Sequence, residues 1–531
     1  MDTIWIVLLI LLAVLGAPLF AIFGAASMLL FHALPDTSIT GTANDVFSEK
    51  FADSPLLVTI PLFTFAGYLM AESGTPQRLV KVSRAWLGWM PGGLAMVCLV
   101  ASAFFTTFTG GSGITIVAIG GLLFPALLAD NYDEDFSLGL VTTGGSLGLL
   151  FPPSVPMILY GVVAGVMIEK IFLAGMIPGI ITVAALGVYS SITGIRQKMP
   201  RTSFNRKEAF SSLWEAKWEA ILPIGLLGGM YTGFLRIHEA AAFTAIYTLI
   251  IEVFVYRDVS FRRDLPRIIR EAMTLVGAIL IILATAIGFT AFLIQARVPM
   301  LILESMEGFI TSQVLFLIAL NVFLIGVGML MDIFSAIVVV VPLIVPIAER
   351  FGVDPYHLGI VFLLNLEIGY MTPPVGLNLF ISSFRFNKPI TQLYRSVLPF
   401  IGLLGIALII VTYIPAFSTW LPGLIDDETV DLGQPLDDED FNGGFDLDAL
   451  EDGDDFDLDA LEGGGGTLDD LDGGLDLDDL DSTLDDLEDG GGTLDDADGG
   501  LDLDDLDGTL EDLEDGGGTL EEAAPSQPPQ Q

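Results

Sequence analysis

The chain has 531 residues, 52% of them hydrophobic and 17% charged, with a mean hydropathy of +0.67 and a formal net charge of −44. Such apolarity excludes an ordinary soluble domain. The charge belongs to one end: 41 of the 66 acidic residues lie in 426–531, which holds no Lys or Arg, and the remaining 25 face 22 basic residues, a net of −3 for the first 425 positions. The basic residues form short clusters beside apolar runs instead of one broad patch, which argues against nucleic acid as a partner. A single cysteine, Cys98, excludes an internal disulfide and any CxxC metal site. The composition is that of an all-α multi-pass protein of the lipid bilayer with an acidic extension.

A helix needs about 20 mostly apolar residues to cross a bilayer. Runs of that kind cover 4–31, 55–71, 137–166, 171–193, 220–235, 239–256, 273–294, 357–384 and 397–420. The first lacks the short core and cleavage site of a removable signal and reads as a retained span. Two stretches, 86–129 and 308–348, are about twice one span and are broken by glycines. Each is either two spans or a re-entrant hairpin, and both choices return the chain to the side it came from. Basic clusters at Arg78, Lys81, Arg84; at Arg196, Lys198, Arg201, Arg206, Lys207; at Arg257, Arg262, Arg263, Arg267, Arg270; and at Arg385, Lys388, Arg395 are separated by even numbers of crossings. All four can then be cytoplasmic, with the amino terminus inside and the acidic tail outside. Residues 204–219, with Phe204, Phe210, Leu213, Trp214 and Trp218 among Lys207, Glu215 and Lys217, read as an interfacial amphipathic helix or a plain connecting one. His32, His238 and His357 stand near span ends with no Cys or His partner at ligand spacing, which favours interfacial positions over metal ligation.

The halves repeat. Pro125 and Pro346 differ by 221, as do Gly148 and Gly369, and the pairs Pro152-Pro153 and Pro373-Pro374. In each half a glycine-broken stretch, Gly110-Gly111-Ser112-Gly113 or Gly326-Val327-Gly328, precedes a span interrupted by Gly-x-x-x-Pro-Pro. Counting crossings puts the ends of the two hairpins on opposite sides, so the repeats, centred on 86–166 and 308–384, are expected to be inverted. A Pro-Pro pair in mid-span removes two backbone donors and frees carbonyls that hydrocarbon cannot satisfy. Such groups must line a polar cavity or an ion site, and paired interrupted spans are the usual place for one. Broken helices also present an amino-terminal end that favours anions and a carboxyl-terminal end that favours cations.

Asp332 and Glu367 are carboxylates placed deep in the second repeat, and an intramembrane carboxylate is a functional candidate by default. Asp332 follows the second hairpin tip, where a cation ligand is wanted; Glu367 suits proton coupling or a structural hydrogen bond. Hard-cation ligands are oxygens, which adds Ser112, Thr115, Ser335, Thr372 and Asn378, together with backbone carbonyls of the breaks.

These residues resemble the large membrane subunit of the tripartite ATP-independent periplasmic (TRAP) transporters, from near Met1 to about Leu424. The first signature reads Gly145-Ser146-Leu147-Gly148-Leu149-Leu150-Phe151-Pro152-Pro153-Ser154. The second reads Glu367-Ile368-Gly369-Tyr370-Met371-Thr372-Pro373-Pro374-Val375-Gly376-Leu377-Asn378. Two departures are visible: Gly111 stands where relatives often carry a serine, and Arg236-Ile237-His238-Glu239 replaces a Thr-Pro-Thr-Glu turn. The resemblance implies an elevator-type secondary transporter of the ion-transporter superfamily in the bacterial inner membrane, sodium-driven and without an organic cofactor. Sodium would bind through Ser112, Asp332, Thr372, Asn378 and carbonyls. A periplasmic binding protein would deliver a small organic acid, and a small four-helix membrane subunit would complete the complex. Substrate and ions would meet around Gly110, Ser112, Thr115, Ser146, Gly148, Pro152, Pro153, Ser154, Asp332, Ser335, Glu367, Gly369, Thr372, Pro373, Pro374, Gly376 and Asn378.

Two other readings compete. A stand-alone sodium/dicarboxylate carrier shares the hairpins and broken helices but needs no binding protein. An intramembrane enzyme would need a nucleophile or metal partner beside Asp332 or Glu367, and no motif supplies one. The domain division is therefore 1–424 for the membrane permease and 425–531 for an acidic low-complexity tail. In the tail 468–493 recurs as 494–519 with three substitutions, and its Asp/Gly/Leu composition predicts disorder.

Overall fold

The computed structural model describes residues 11–12, 17–33, 55–199, 203–296, 298, 301, 310 and 312–424. The acidic tail, and the first part of the run at 4–31, lie outside the described residues. Every regular element among the described residues is helical. Among the described residues seven helices are long and apolar enough to cross a membrane, and two further pairs pass the same test but bend at a break: Leu56–Ala71 with Thr75–Leu87 (72°), and Glu134–Leu150 with Val155–Ala164 (46°).

The two double-length stretches are helix–turn–helix hairpins, Gly93–Thr109 with Ser112–Ala129 and Gln313–Leu330 with Ile333–Arg350. Their bounds extend the 221-residue offset from prolines to whole elements. Thr109 and Leu330 end the first arms, Ser112 and Ile333 open the second arms, and Ala129 and Arg350 close them. Glu134 and Pro355 then start the next helices, capped by Asp133 and Asp354. Asp133 accepts from the Phe136 amide, and Asp354 from those of Tyr356 and His357, so each cap satisfies amides that the helix itself leaves bare. Both Pro-Pro bonds are cis, and helices Val155–Ala164 and Leu377–Phe386 follow them.

Several expected spans have different limits. The run at 273–294 belongs to a helix, Leu265–Gln295, that begins inside a basic cluster, because Arg267 is held there by Glu72 at 2.7 Å and by Glu271 one turn on at 3.3 Å. The run at 397–420 starts earlier, as Ile390–Tyr413, and breaks before Pro415 into the short helix Ala416–Thr419. Residues 204–219 divide at Ala216: Asn205 caps Arg206–Glu215, which exposes Phe210 and Trp214, and a new helix, Lys217–Tyr231, begins at once. His357, in the first turn of Pro355–Gly369, is buried, its ring nitrogens 2.6 Å from the Ser418 hydroxyl and 3.2 Å from the Thr412 carbonyl.

Members of the basic clusters tie neighbouring segments together. Lys81 pairs with Glu215, and Trp86 packs its ring on Phe204 and Phe210 at 6.3 and 6.1 Å. Lys388 pairs with Glu134, and Gln392 donates to Asp135 at 2.9 Å, where Phe136 meets Tyr189 of the helix Ile168–Arg196. Arg78 does more than mark a side. Its guanidinium is nearly buried, bonded to Glu219, to Glu252 at 3.0 Å and to Asp258 at 2.5 Å, and lies 3.7 Å from the centre of the Tyr256 ring. One side chain thus ties the angled helix Thr75–Leu87 to Lys217–Tyr231 and to the end of Ile237–Val255.

Close helix contact depends on glycine at the two repeated break positions. A Cβ on Gly148 would run into Ala103 and Thr106 of the first hairpin, and one on Gly369 would lie 2.6 Å from the Gly328 Cα.

Two outcomes are expected. Arg78→Met leaves three carboxylates around an uncompensated pocket and lowers stability by about 3–5 kcal/mol in detergent unfolding; adding Glu252→Gln restores part of the loss. Gly369→Ala forces two helices apart and costs about 1–3 kcal/mol, whereas Gly402→Ala, with open space at its Cβ, leaves the melting temperature unchanged or higher.

Candidate functional site

The first hairpin tip is a group of oxygens drawn from three parts of the chain. Gly110 at the turn has φ +61° and a backbone pressed against Val155 and Pro156, so the tip abuts the helix that follows the first break. The Ser112 hydroxyl donates to Asn378 Oδ1 at 2.7 Å, a contact across 266 residues that joins the tip of one repeat to the break of the other. Behind it, Thr106 Oγ1 lies 2.8 Å from the Ser102 carbonyl, 2.9 Å from the Gly145 carbonyl and 2.8 Å from Thr115 Oγ1. Thr106 has one proton for two carbonyls, even with Thr115 donating to it, so oxygen acceptors outnumber donors. Asn378 is fully buried, its Nδ2 has no partner, and its main-chain amide donates to the Tyr370 carbonyl at 3.1 Å. A buried cluster rich in uncharged oxygens has the donor set a hard cation takes.

The second tip is built differently. Asp332 is solvent-accessible at the start of Ile333–Arg350, and its carboxylate caps that helix. Oδ2 accepts from the Phe334 and Ser335 amides at 3.0 and 3.1 Å, and Oδ1 accepts from the Ser335 hydroxyl at 2.5 Å. Asp332 and Ser335 are brought together, but not with Ser112. The Gly376 amide donates to Met329 at 3.3 Å, so the second break lies along this tip. Thr372 is turned back on its own helix, donating to the Ile368 carbonyl at 2.8 Å. The remaining residues fall at the breaks. Pro152, Pro153 and Ser154 are buried, Pro373 and Pro374 are not, and the Ser154 hydroxyl at the start of Val155–Ala164 has no partner. Ser146, next to the Gly145 whose carbonyl backs the first tip, meets Glu367 at 3.3 Å.

Three features were not singled out from sequence. Thr106 and Thr107 back the first tip; three threonines in the five residues 105–109 were the available signal. Asn365 donates to Asn321 at 2.7 Å, and Asn321 to Thr412 at 3.4 Å, a polar contact between three helices that an amide inside an apolar run could have announced. A mostly apolar cavity of about 270 Å³, bounded by Val100, Ala103, Thr107, Phe151, Pro152 and Leu227, opens beside the first break and carried no sequence signal.

A profile of the Tripartite ATP-independent periplasmic transporter, DctM component, matches residues 6–417. The C4-dicarboxylate TRAP transporter large permease protein DctM of Vibrio cholerae is 34% identical over 439 residues, spanning 79% of this chain and 97% of that protein. The isethionate TRAP transporter permease protein DctMQ of Oleidesulfovibrio alaskensis is 35% identical over 412 residues, 77% of this chain and 64% of that longer protein. Among solved structures, the Alcanivorax borkumensis YdaH transporter shares the fold, with a TM-score of 0.56 at 14% identity over 76% of this chain and 99% of that one. The molecule is thus a multi-pass protein of the bacterial inner membrane and a transport protein, not an enzyme. It belongs to the DctM family, the large permease subunits of tripartite ATP-independent periplasmic transporters.

Proposed function

We propose that this permease takes up a small organic anion by sodium symport, with the solute handed over by a periplasmic binding protein and a small four-helix subunit alongside. The single observation that carries the coupling is the oxygen cluster at the first tip. Ser112 and Asn378, with the Thr106–Thr115 pair and the Gly145 carbonyl behind them, offer uncharged oxygens in the number and type that sodium takes. An anion suits the opposite ends of the broken helices, where Val155–Ala164 begins at an unpartnered Ser154. The relatives' names, one a C4-dicarboxylate carrier and one an isethionate carrier, favour a small organic anion. The element-by-element offset of 221 supports two inverted repeats that shift together as an elevator.

The test compares thermal unfolding in sodium and in potassium at equal ionic strength. A ligand at a hundredfold excess over its Kd stabilises the native state by about 2.7 kcal/mol, so sodium is expected to raise the melting temperature saturably. Asn378→Ala and Thr115→Val are expected to reduce that shift. Asp332→Asn keeps a good helix cap, so it should leave melting in potassium unchanged and lower the sodium shift only if the carboxylate also serves the ion. Equal melting of the wild type in both salts would refute sodium binding to this subunit.

A further inference from the structure

Ser146 and Glu367 occupy one repeat position, 221 residues apart, and their side chains touch. Equivalent positions meet in this way where a local two-fold axis passes between them. Both residues are fully buried, and the Ser146 hydroxyl donates to Glu367 Oε1 at 3.3 Å. Glu367 Oε2 has no hydrogen-bond partner, and neither has the hydroxyl of Thr143, buried one turn before Ser146.

Among the described residues the Ser146 hydroxyl is the side chain hydrogen-bonded to this carboxyl. The helix Gln313–Leu330, packed along it, holds no titratable residue. On Ile333–Arg350, Asp332 caps the first turn, and Glu349 and Arg350 stand in the last. Tyr160 donates to the Pro355 carbonyl, at the far end of Glu367's own helix, where His357 also lies. On Ile168–Arg196, Glu169, Lys170 and Arg196 are terminal, and Tyr189 lies against Phe136 and Phe400. Ile390–Tyr413 has Tyr394 and Arg395 in its first turns and Tyr413 at its end, and Tyr370 follows Glu367 by three residues.

A bare carboxylate in an apolar interior is strongly unfavourable unless positive charge is supplied. We propose that Glu367, with the hydroxyl of Ser146, binds one small monovalent cation, a proton or an alkali ion, through side chains other than those of Ser112 and Asn378. Loaded, the pair is neutral; empty, it leaves a negative charge at the contact between the repeats. If the repeats are the moving part of a symporter, which rests on the function proposed above, only the loaded form crosses the low-dielectric layer readily. Cation and solute are then obliged to travel together.

The test follows melting of the purified full chain in lipid nanodiscs over two series, pH at fixed potassium and sodium-for-potassium replacement at fixed pH. The wild type is compared with Glu367→Gln, Ser146→Ala and Asn378→Ala. Glutamine keeps the shape of the side chain without a charge to compensate. The expected result is a component that Asn378→Ala retains and Glu367→Gln lacks. A component that follows pH identifies a proton, and Ser146→Ala then moves its midpoint to higher pH, because a donor to the charged form has gone. One that follows sodium identifies an alkali ion, and Ser146→Ala then raises the sodium needed about tenfold. Parallel responses of the wild type and Glu367→Gln in both series overturn the proposal. Loss of only the Asn378-dependent response would overturn sodium binding at the first tip and leave this site standing. Should Glu367→Gln fail to fold, Ser146→Ala decides, an unmoved midpoint being the negative result.

Discussion

A backbone amide or carbonyl without a partner costs several kcal/mol in hydrocarbon, and this chain interrupts two of its spans with proline pairs at their middle. Everything distinctive in the fold follows from giving those interruptions company. The first break is met by the tip of its own hairpin, with Gly110 against Val155 and Pro156, while Asn378, just past the second break, reaches across to Ser112. Segments that could not face lipid become walls for one another, and beside the second break the Tyr370 carbonyl is taken up by the Asn378 amide.

The same reasoning separates the two tips. The first is built from hydroxyls, carbonyls and an amide, all uncharged, and is packed shut; the second carries a carboxylate already occupied in capping a helix at an exposed position. A neutral cage and a charged cap differ in what a cation must give up on entering. The neutral one offers more ligands at lower field strength, and the charged one offers attraction at the expense of helix-capping bonds.

Much of the architecture could be read from sequence because the responsible residues are also the rare ones. Proline and glycine in apolar runs mark the breaks and hairpins, so the offset of 221 is visible in a handful of positions before any helix is seen. Helix limits were less legible, since Arg267 and Arg270 lie within Leu265–Gln295 and hydropathy stops where ion pairs take over. Arg78 reads as a topology signal because its partners, Glu219, Glu252 and Asp258, are scattered through later segments. Thr106 and Thr107 are hard to separate from ordinary helix threonines, which bond to the carbonyl four residues back, as both of these do. Ser112 and Asn378 were recognisable as oxygen donors, yet nothing local says that they touch. Asp332 was recognisable as a carboxylate at the second tip, yet nothing local says that it also caps the helix that follows, because a helix start and an ion ligand call for the same residue type.

The meeting of Ser146 with its counterpart Glu367 limits how alike the two halves can be. Away from such a contact, a duplicated chain can carry the same residue in both copies without those copies ever interacting. Here each copy is the other's neighbour, so a glutamate in both would set two carboxylates against each other in an apolar interior, and a serine in both would remove the charge altogether. One acid and one hydroxyl is an arrangement that strict internal symmetry cannot produce. The two halves must differ where these equivalent positions meet.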